Sequence, residues 1–376
     1  MARTHLYEYH MKHASLIDFH GYEMPLWYEG IGSEHLAVRK SVGVFDVTHM
    51  GRGLVLGSEA RDFLNHIFTY DVTKITLNQA WVTSMCDEKG IIIDDMMVYH
   101  LNEDKYLLVF NCLNRDRDVT WVQEHIKPFD ATFINITDQM PHFAVQGPKA
   151  QQTMQKIINM DVGTLTWFEG APAKVAGVDA YVSRTGYTGE DGFEVYLWDI
   201  PREHATKAVQ VWNAILAAGQ EFKIQPCGLG ARDTARIEAG FWLEGNECNG
   251  LKVTPLELGF KWGVSLEKSE FIGRDVLLQQ VAEGVKRKRV NIRMLEGGIP
   301  RAGYDIYKAD ERIGQVTSGT FSPILSCGIA MGYVPTEHTK IESVIEVKVR
   351  EKLIKGTLVK VPFYDPEQYG RLRRRA

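Results

Sequence analysis

The sequence predicts an α+β protein made of more than one sheet-containing unit. Three observations predict it. Through the first 270 residues, short runs with period-two apolar patterning alternate with runs of helical spacing. Beyond residue 270 helical signals become sparse and short β-like runs alternate with Gly and Pro, as in 300–307, 313–320 and 344–361, which reads as a small β-barrel or jelly-roll domain. The 376 residues suffice for two or three domains.

Taken in order, residues 33–42 read as a helix, with Ser33 able to cap it and Gly43 stopping it. A compact unit follows. Residues 52–56 read as a strand and 58–68 as a helix with Phe63, Leu64, Ile67 and Phe68 inward. Residues 81–86, 91–100 and 105–110 read as strands joined by polar turns, 115–126 as a helix capped by Asn114, and 131–136 as a strand. This β-α-β-β-β-α-β order is a ferredoxin-like layer with one extra strand. After residue 140 the rhythm recurs, as architecture and without a clear sequence repeat: Gly147-Pro148 opens a helix, strands are expected at 167–175, 178–184 and 193–196, and a helix at 202–218 ends at Gly219. The boundary to the β-rich part falls near 275–290.

Composition narrows the function. Hydrophobic content of 44% and charged content of 24% are those of a soluble globular chain. A net charge of −5 gives no global basic character for nucleic acid. Lys286-Arg287-Lys288-Arg289 reads as a solvated linker, and Arg371, Arg373, Arg374 and Arg375 as a frayed tail. No apolar run is long enough to span a bilayer, and the polar start is not a signal peptide, so the expected location is cytoplasmic. Five scattered cysteines fit reduced thiols and no metal site; His10 and His13 read as a surface pair.

Three stretches carry chemistry. In Ser183–Glu194, glycines 186, 189 and 192 either hold the backbone close to a ligand or make an ordinary turn between strands. Tyr187 and Glu194 flank them, a couple suited to a ligand with an aromatic face and a guanidine-like edge, such as a pterin. Asp94-Asp95 interrupts an apolar strand; alternation sends the two carboxyls to opposite faces, so that one can enter a cleft as proton acceptor or stabiliser of a cation, unless both are solvated at an edge. Asn111 ends the next strand, where it can position a heterocycle or merely cap a turn. Gly228-Leu229-Gly230 lacks the spacing of a nucleotide turn. Arg232 at a helix start opposes the macrodipole and implies an acidic partner, from the core or from a ligand.

Together these segments resemble the glycine cleavage T-protein (aminomethyltransferase) family. The blocks are Asp18–Leu26, Glu34–Arg39, Val44–Gly51, Ile93-Asp94-Asp95, Ala144–Pro148, Ser183–Glu194, Gly228–Asp233 with Arg236–Gly240, Thr254–Glu257, Pro300-Arg301 and Val316–Pro323. They stand in family order over nearly the whole chain, and the ending Pro362–Pro366 with Tyr369-Gly370 is similar to archaeal members. The resemblance implies a three-domain cloverleaf around a central folate-binding channel: a discontinuous domain of residues 1–50 and 140–270, a second of 51–139, and a barrel of 275–376. It implies Asp94 as the catalytic aspartate, and Met50, Asn111, Tyr187, Glu194 and Arg232 as folate contacts. Tetrahydrofolate is then the one-carbon acceptor, lipoylated H-protein the donor's carrier, and ammonia is released.

Three departures bear on the donor: Glu247–Lys252 replaces an acidic stretch, Val82 stands where Tyr is frequent, and Arg52 where an acid is frequent. They admit a rival, a folate-dependent demethylase or methyltransferase taking its carbon from a small sulfonium or methylamine. Trp27, Tyr28, Trp81 and Trp242 would be its aromatic cage, or else core packing. A folate-binding regulatory or RNA-modifying module is the third class; it would lack the retained Asp94 or carry a distinctive cysteine motif.

Overall fold

The computed structural model describes residues 1–248 and 250–373. Two large sheets and a closed barrel organise the chain, with a two-stranded hairpin, Ser15–Phe19 and Tyr22–Trp27, beside them. The mixed six-stranded sheet runs Gly170–Val175, Val178–Ser183, Gly192–Leu197, His142–Gln146, Gly43–Asp46 and Gln225–Pro226. Gly43–Asp46 comes from the N-terminal part, pairing antiparallel with His142–Gln146 and parallel with Gln225–Pro226. The five-stranded antiparallel sheet runs Ala80–Cys86, Ile92–Asn102, Lys105–Phe110, Gly51–Leu56 and Thr132–Asn135. Each sheet buries one apolar face against its helices, Phe63, Leu64 and Ile67 in one case and Val211, Trp212 and Ile215 in the other.

The expected β-rich end is a barrel and not a jelly roll. Arg287–Met294, Cys327–Pro335, Glu311–Ser322, Asp305–Lys308, Val344–Val349 and Lys352–Leu358 close on themselves, leaving no free edge. Its core is small and aliphatic, with Val290, Ile292, Ile306, Val316, Ile345 and Leu358 inward.

The repetition reaches further into the sequence than expected. Gly57 and Gly147, Ala60 and Ala150, Asp71 and Asp161, and Ala80 and Gly170 each lie ninety residues apart. Both leading glycines take positive φ, 133° and 129°. Asp71 and Asp161 each cap a short 3-10 turn, accepting from Thr73 N at 3.1 Å and Gly163 N at 2.8 Å. The copies meet head to head: Ala80 N donates to Phe168 O, Gly170 N donates to Asn78 O, both at 2.8 Å, and Gln79 bridges Glu169. A local two-fold thus joins the two sheets.

Several readings change. The helix Ile31–Lys40 is not capped by Ser33. Buried Glu34 holds its entry, accepting from the backbone N–H of Tyr28, Glu29 and Gly30 at 2.6, 3.0 and 3.1 Å and of Gly228 at 2.8 Å. Asn114 likewise does not cap Arg115–His125; its amide faces Asp94. His10 is no surface residue: it is fully buried, 2.8 Å from Asp46 and 2.9 Å from the Tyr28 hydroxyl. Lys286–Arg289 enters a strand, not a linker. Alternation there turns Arg287 to Glu257 at 3.1 Å and Arg289 to the carbonyls of Leu258 and Gly240 at 3.0 Å. The tail is docked: Gly370 N and the Arg373 guanidinium reach Glu190 at 3.0 and 3.1 Å, and Arg371 lies 4.9 Å over Trp167. Arg374 and Arg375 lie outside the described residues, as does Asn249. No described helix is long and apolar enough to cross a membrane.

Candidate active site

The site lies where the two sheets face the helix Leu229–Ala239. Glu194 stands on the strand Gly192–Leu197, paired with Ser183 and Ala144. Its Oε2 accepts from Thr185 Oγ1 at 2.5 Å and lies 3.4 Å from both the Tyr99 and Tyr196 hydroxyls. Its Oε1 is 3.3 Å from His142 Nε2. Burial pushes the Glu194 carboxyl up, but His142, Thr185 and Arg232 outweigh it and the net shift is downward. Burial also lowers His142. The two directions fit an ionised Glu194 beside a neutral imidazole.

Tyr187 and Arg232 form the opposite wall. The Tyr187 hydroxyl donates to Trp242 O, and its ring stacks on Phe241 at 5.7 Å. Arg232 lies 4.6 Å over the Tyr187 ring. Its guanidinium makes no hydrogen bond or ion pair with any described residue, so the acidic core partner expected from its helix position does not exist among them; burial lowers its pKa. Met50 packs on both flanks, with Tyr99 and Val109 on one side and Phe45 and Ala231 on the other. Met50, Tyr187, Glu194 and Arg232 therefore do come together.

The glycines of this segment serve the protein and not a ligand. A Cβ at Gly186 or Gly192 would strike the Gln146 side chain, and one at Gly189, where φ is +79°, would strike Tyr364. Gln146 fixes the turn by donating to Thr185 O at 3.0 Å and accepting from Thr188 Oγ1 at 2.8 Å. Arg184 closes its base, donating to both Asp191 oxygens at 2.9 and 2.6 Å. The tight turn is what aims Tyr187 and Glu194.

The carboxyl pair divides as alternation requires. Asp94 is fully buried and turned to the helix Arg115–His125. It accepts from Asn111 N at 3.0 Å, Asn111 Nδ2 at 2.8 Å and Asn114 Nδ2 at 3.2 Å. Asp95 is half-buried on the other face, in line with Met97 and Tyr99, and Trp242 lies near it. Asn111 spans the pair, its Nδ2 also 3.1 Å from Asp95 O and 3.4 Å from Asp95 Oδ1. It is Asp95, not the expected Asp94, that shares a face with Tyr99 and so with Glu194. Burial, then the charge of Asp94, raises Asp95 well above the ordinary carboxylate range.

Sequence reasoning missed Asp95, Tyr99, Thr185 and His142. Period-two alternation from Asp95 to Tyr99 was a usable signal; nothing in the sequence marks His142. Arg52 and Glu247, from two of the three departures, are turned into the protein. Arg52 is fully buried, bonded to the carbonyls of Thr48 and Met50 and, at 2.5 Å, of Thr137. Glu247 is buried against Arg236 at 3.0 Å and Thr317 at 2.7 Å. Val82 does border the site, beside Trp242. The four aromatics proposed as a cage do not converge. Trp81 stacks on Tyr70 at 5.1 Å and Trp242 packs on Phe260 at 4.7 Å. Tyr28 lies near Tyr9 and His10, and Trp27 is exposed. Among the described residues no group of three or more His, Cys, Asp or Glu could hold a metal ion.

Comparison with known proteins agrees in order and extent. Residues 6–268 match the family model described as GCVT N-terminal domain, and 287–365 that of the glycine cleavage T-protein C-terminal barrel domain. The chain is 43% identical over 366 residues to the aminomethyltransferase of Caldanaerobacter subterraneus subsp. tengcongensis, covering 97% of this chain and 96% of that one. It is 39% identical over 394 residues to the probable aminomethyltransferase of Pyrococcus horikoshii, covering 99% of each. The crystal structure of aminomethyltransferase T of the glycine cleavage system from Bartonella henselae superimposes with a TM-score of 0.89 at 30% identity, over 98% of this chain and 99% of that one. With both family models matched in order and relatives aligned end to end, the chain belongs to the glycine cleavage T-protein family, the aminomethyltransferases.

Proposed function

We propose that the chain hands the carbon of an aminomethyl group, carried on the lipoyl sulfur of H-protein, to tetrahydrofolate with release of ammonia. The convergence of Glu194, Tyr187 and the unpaired Arg232 carries this reading. These groups fit the ligand. An ionised Glu194 accepts from the N–H edge of a pterin, Tyr187 and Met50 flank a flat ring, and Arg232 meets a carboxylate. The bound folate supplies the amine that takes up the carbon. Asp95 is the group proposed to take the proton from that amine and to face the positive charge that builds on the carbon. Asp94, expected from the sequence in that role, supports it from behind through Asn111. The units 1–50 with 140–270, 51–139 and 275–376 are proposed as three lobes around this site, in a cytoplasmic enzyme.

Product analysis tests the reading. The protein is incubated with tetrahydrofolate and aminomethyl-loaded H-protein, and separately with methylated sulfonium and amine donors. Methylenetetrahydrofolate with ammonia in the first arm supports it. Methyltetrahydrofolate in the second alone rejects it. Asp95→Asn is expected to abolish turnover and leave folate binding largely intact; equal turnover rejects the role of Asp95.

A further inference from the structure

Behind Asp94 lies a second carboxyl that the site as described leaves unused. Asp118 is one turn into Arg115–His125 and 1% exposed. Neither of its oxygens meets an N–H or O–H donor among the described residues. Its carboxyl neighbours that of Asp94: Asp118 N donates to Asn114 O at 2.9 Å, and the Asn114 amide donates to Asp94 at 3.2 Å. Asp94 by contrast accepts three N–H bonds from Asn111 and Asn114. Two neighbouring carboxyls in so dry a wall do not both ionise readily. The one with three N–H donors remains the anion, and the one with none keeps the proton. The charged and titratable groups around Asp118 are Asp94, Arg117 and Glu244, and none supplies it with a short ion pair.

We propose that Asp118 is a positioning residue for the transfer: as a neutral acid it donates its proton to Asp94, keeps Asp94 anionic, and so fixes both the aim of Asn111 and the proton affinity of Asp95. The inference rests on the reading of Asp95 given above. Burial, then the Asp94 charge, raises Asp118 far above the ordinary carboxylate range, in keeping with the geometry. The chain of neighbours is continuous, from Asp118 to Asp94, to the Asn111 amide, to Asp95 on the site face.

Two variants and two readouts test it. Asp118→Asn keeps an N–H donor toward Asp94; Asp118→Leu removes it. The infrared difference spectrum of wild type minus Asp118→Asn, at neutral pH and without ligand, is expected to show the carbonyl stretch of a neutral carboxylic acid. Its absence overturns the proposal whatever the activity. In the aminomethyl assay, Asp118→Asn is expected within about threefold of wild type. Asp118→Leu is expected to lose tenfold or more in kcat at unchanged KM for tetrahydrofolate, with the pH–rate limb of Asp95 moved to lower pH. An unmoved limb in a folded Asp118→Leu overturns it. If Asp118→Leu does not fold, Asp118→Asn decides alone, and a tenfold loss there overturns it. Wild-type inactivity in the assay would instead reject the proposed donor, leaving the spectrum to judge Asp118.

Discussion

Arg232 holds its guanidinium 4.6 Å from the centre of the Tyr187 ring, and that guanidinium hydrogen-bonds to no described residue. A half-buried cation held by a π face and by the unbonded charge of Glu194 is poorly compensated in the empty protein. It is worth keeping where a ligand anion completes the site. Arg232→Met is therefore expected to weaken tetrahydrofolate binding on the order of tenfold or more, roughly the value of one charge-assisted contact. The melting temperature of the ligand-free protein should not fall. Calorimetry of binding and of unfolding gives both numbers; a marked drop in melting temperature would make Arg232 structural.

Glu194 titrates below its ordinary value in the folded chain, because its partners outweigh its burial. A carboxyl lowered on folding adds stability that is complete above its unfolded pKa and is lost as pH falls through its folded pKa. Glu194→Gln removes that share. The variant should lose less stability than wild type between pH 5 and pH 3 in urea unfolding, and should bind tetrahydrofolate more than tenfold more weakly at pH 7. An unchanged acid slope would reject the ionised assignment.

His49 gives the opposite kind of residue the same sign. It is buried and neutral, pushed down to about 3 from 6.5, by burial first and by the nearby Arg232 charge second. Below pH 6.5 the unfolded chain binds a proton there that the folded chain refuses, so stability falls as pH falls. Between pH 7 and pH 5 this amounts to about 2 kcal/mol. His49→Gln should remove a loss of about that size from the pH profile of the unfolding free energy; His5, His20, His66 and His142, also lowered, add to the same slope.

Much of this was legible in the sequence because local pattern and final place agree. Gly51–Leu56 and Lys105–Phe110 are apolar enough to be strands anywhere, and Tyr187 and Glu194 flank a turn whose glycines announce it. What failed to show were choices made by partners far along the chain. Arg52 reads as a departure bearing on the donor until the carbonyls of Thr48 and Thr137 close on it. His10 reads as exposed until Asp46 arrives from thirty-six residues away. Arg373 reads as tail until Glu190 binds it. Asp94 and Asp95 differ by one residue and by an entire face of the sheet, and only the register with Ser84 and Met85 fixes which is which.

Gly186 tests whether the tight turn, and not direct glycine contact, serves the ligand. A Cβ there meets the Gln146 carboxamide, which is held at both ends by Thr185 O and Thr188 Oγ1 and cannot swing away without losing them. Gly186→Ala should cost about 1–3 kcal/mol of stability, the usual price of overpacking. Gly32 is the control: it lies exposed in the helix Ile31–Lys40, and a Cβ there meets nothing within 4 Å. Gly32→Ala should raise stability by about 0.4–1 kcal/mol through the unfolded chain. Urea midpoints decide the stability half. The binding half is sharper, because Thr185 Oγ1 donates to Glu194 from the residue beside Gly186. Displacing that backbone should weaken tetrahydrofolate binding in Gly186→Ala and leave Gly32→Ala at the wild-type value. Gly186→Ala with full affinity would mean that Glu194 keeps its aim without the Gln146 anchor, and the turn would then be structural alone.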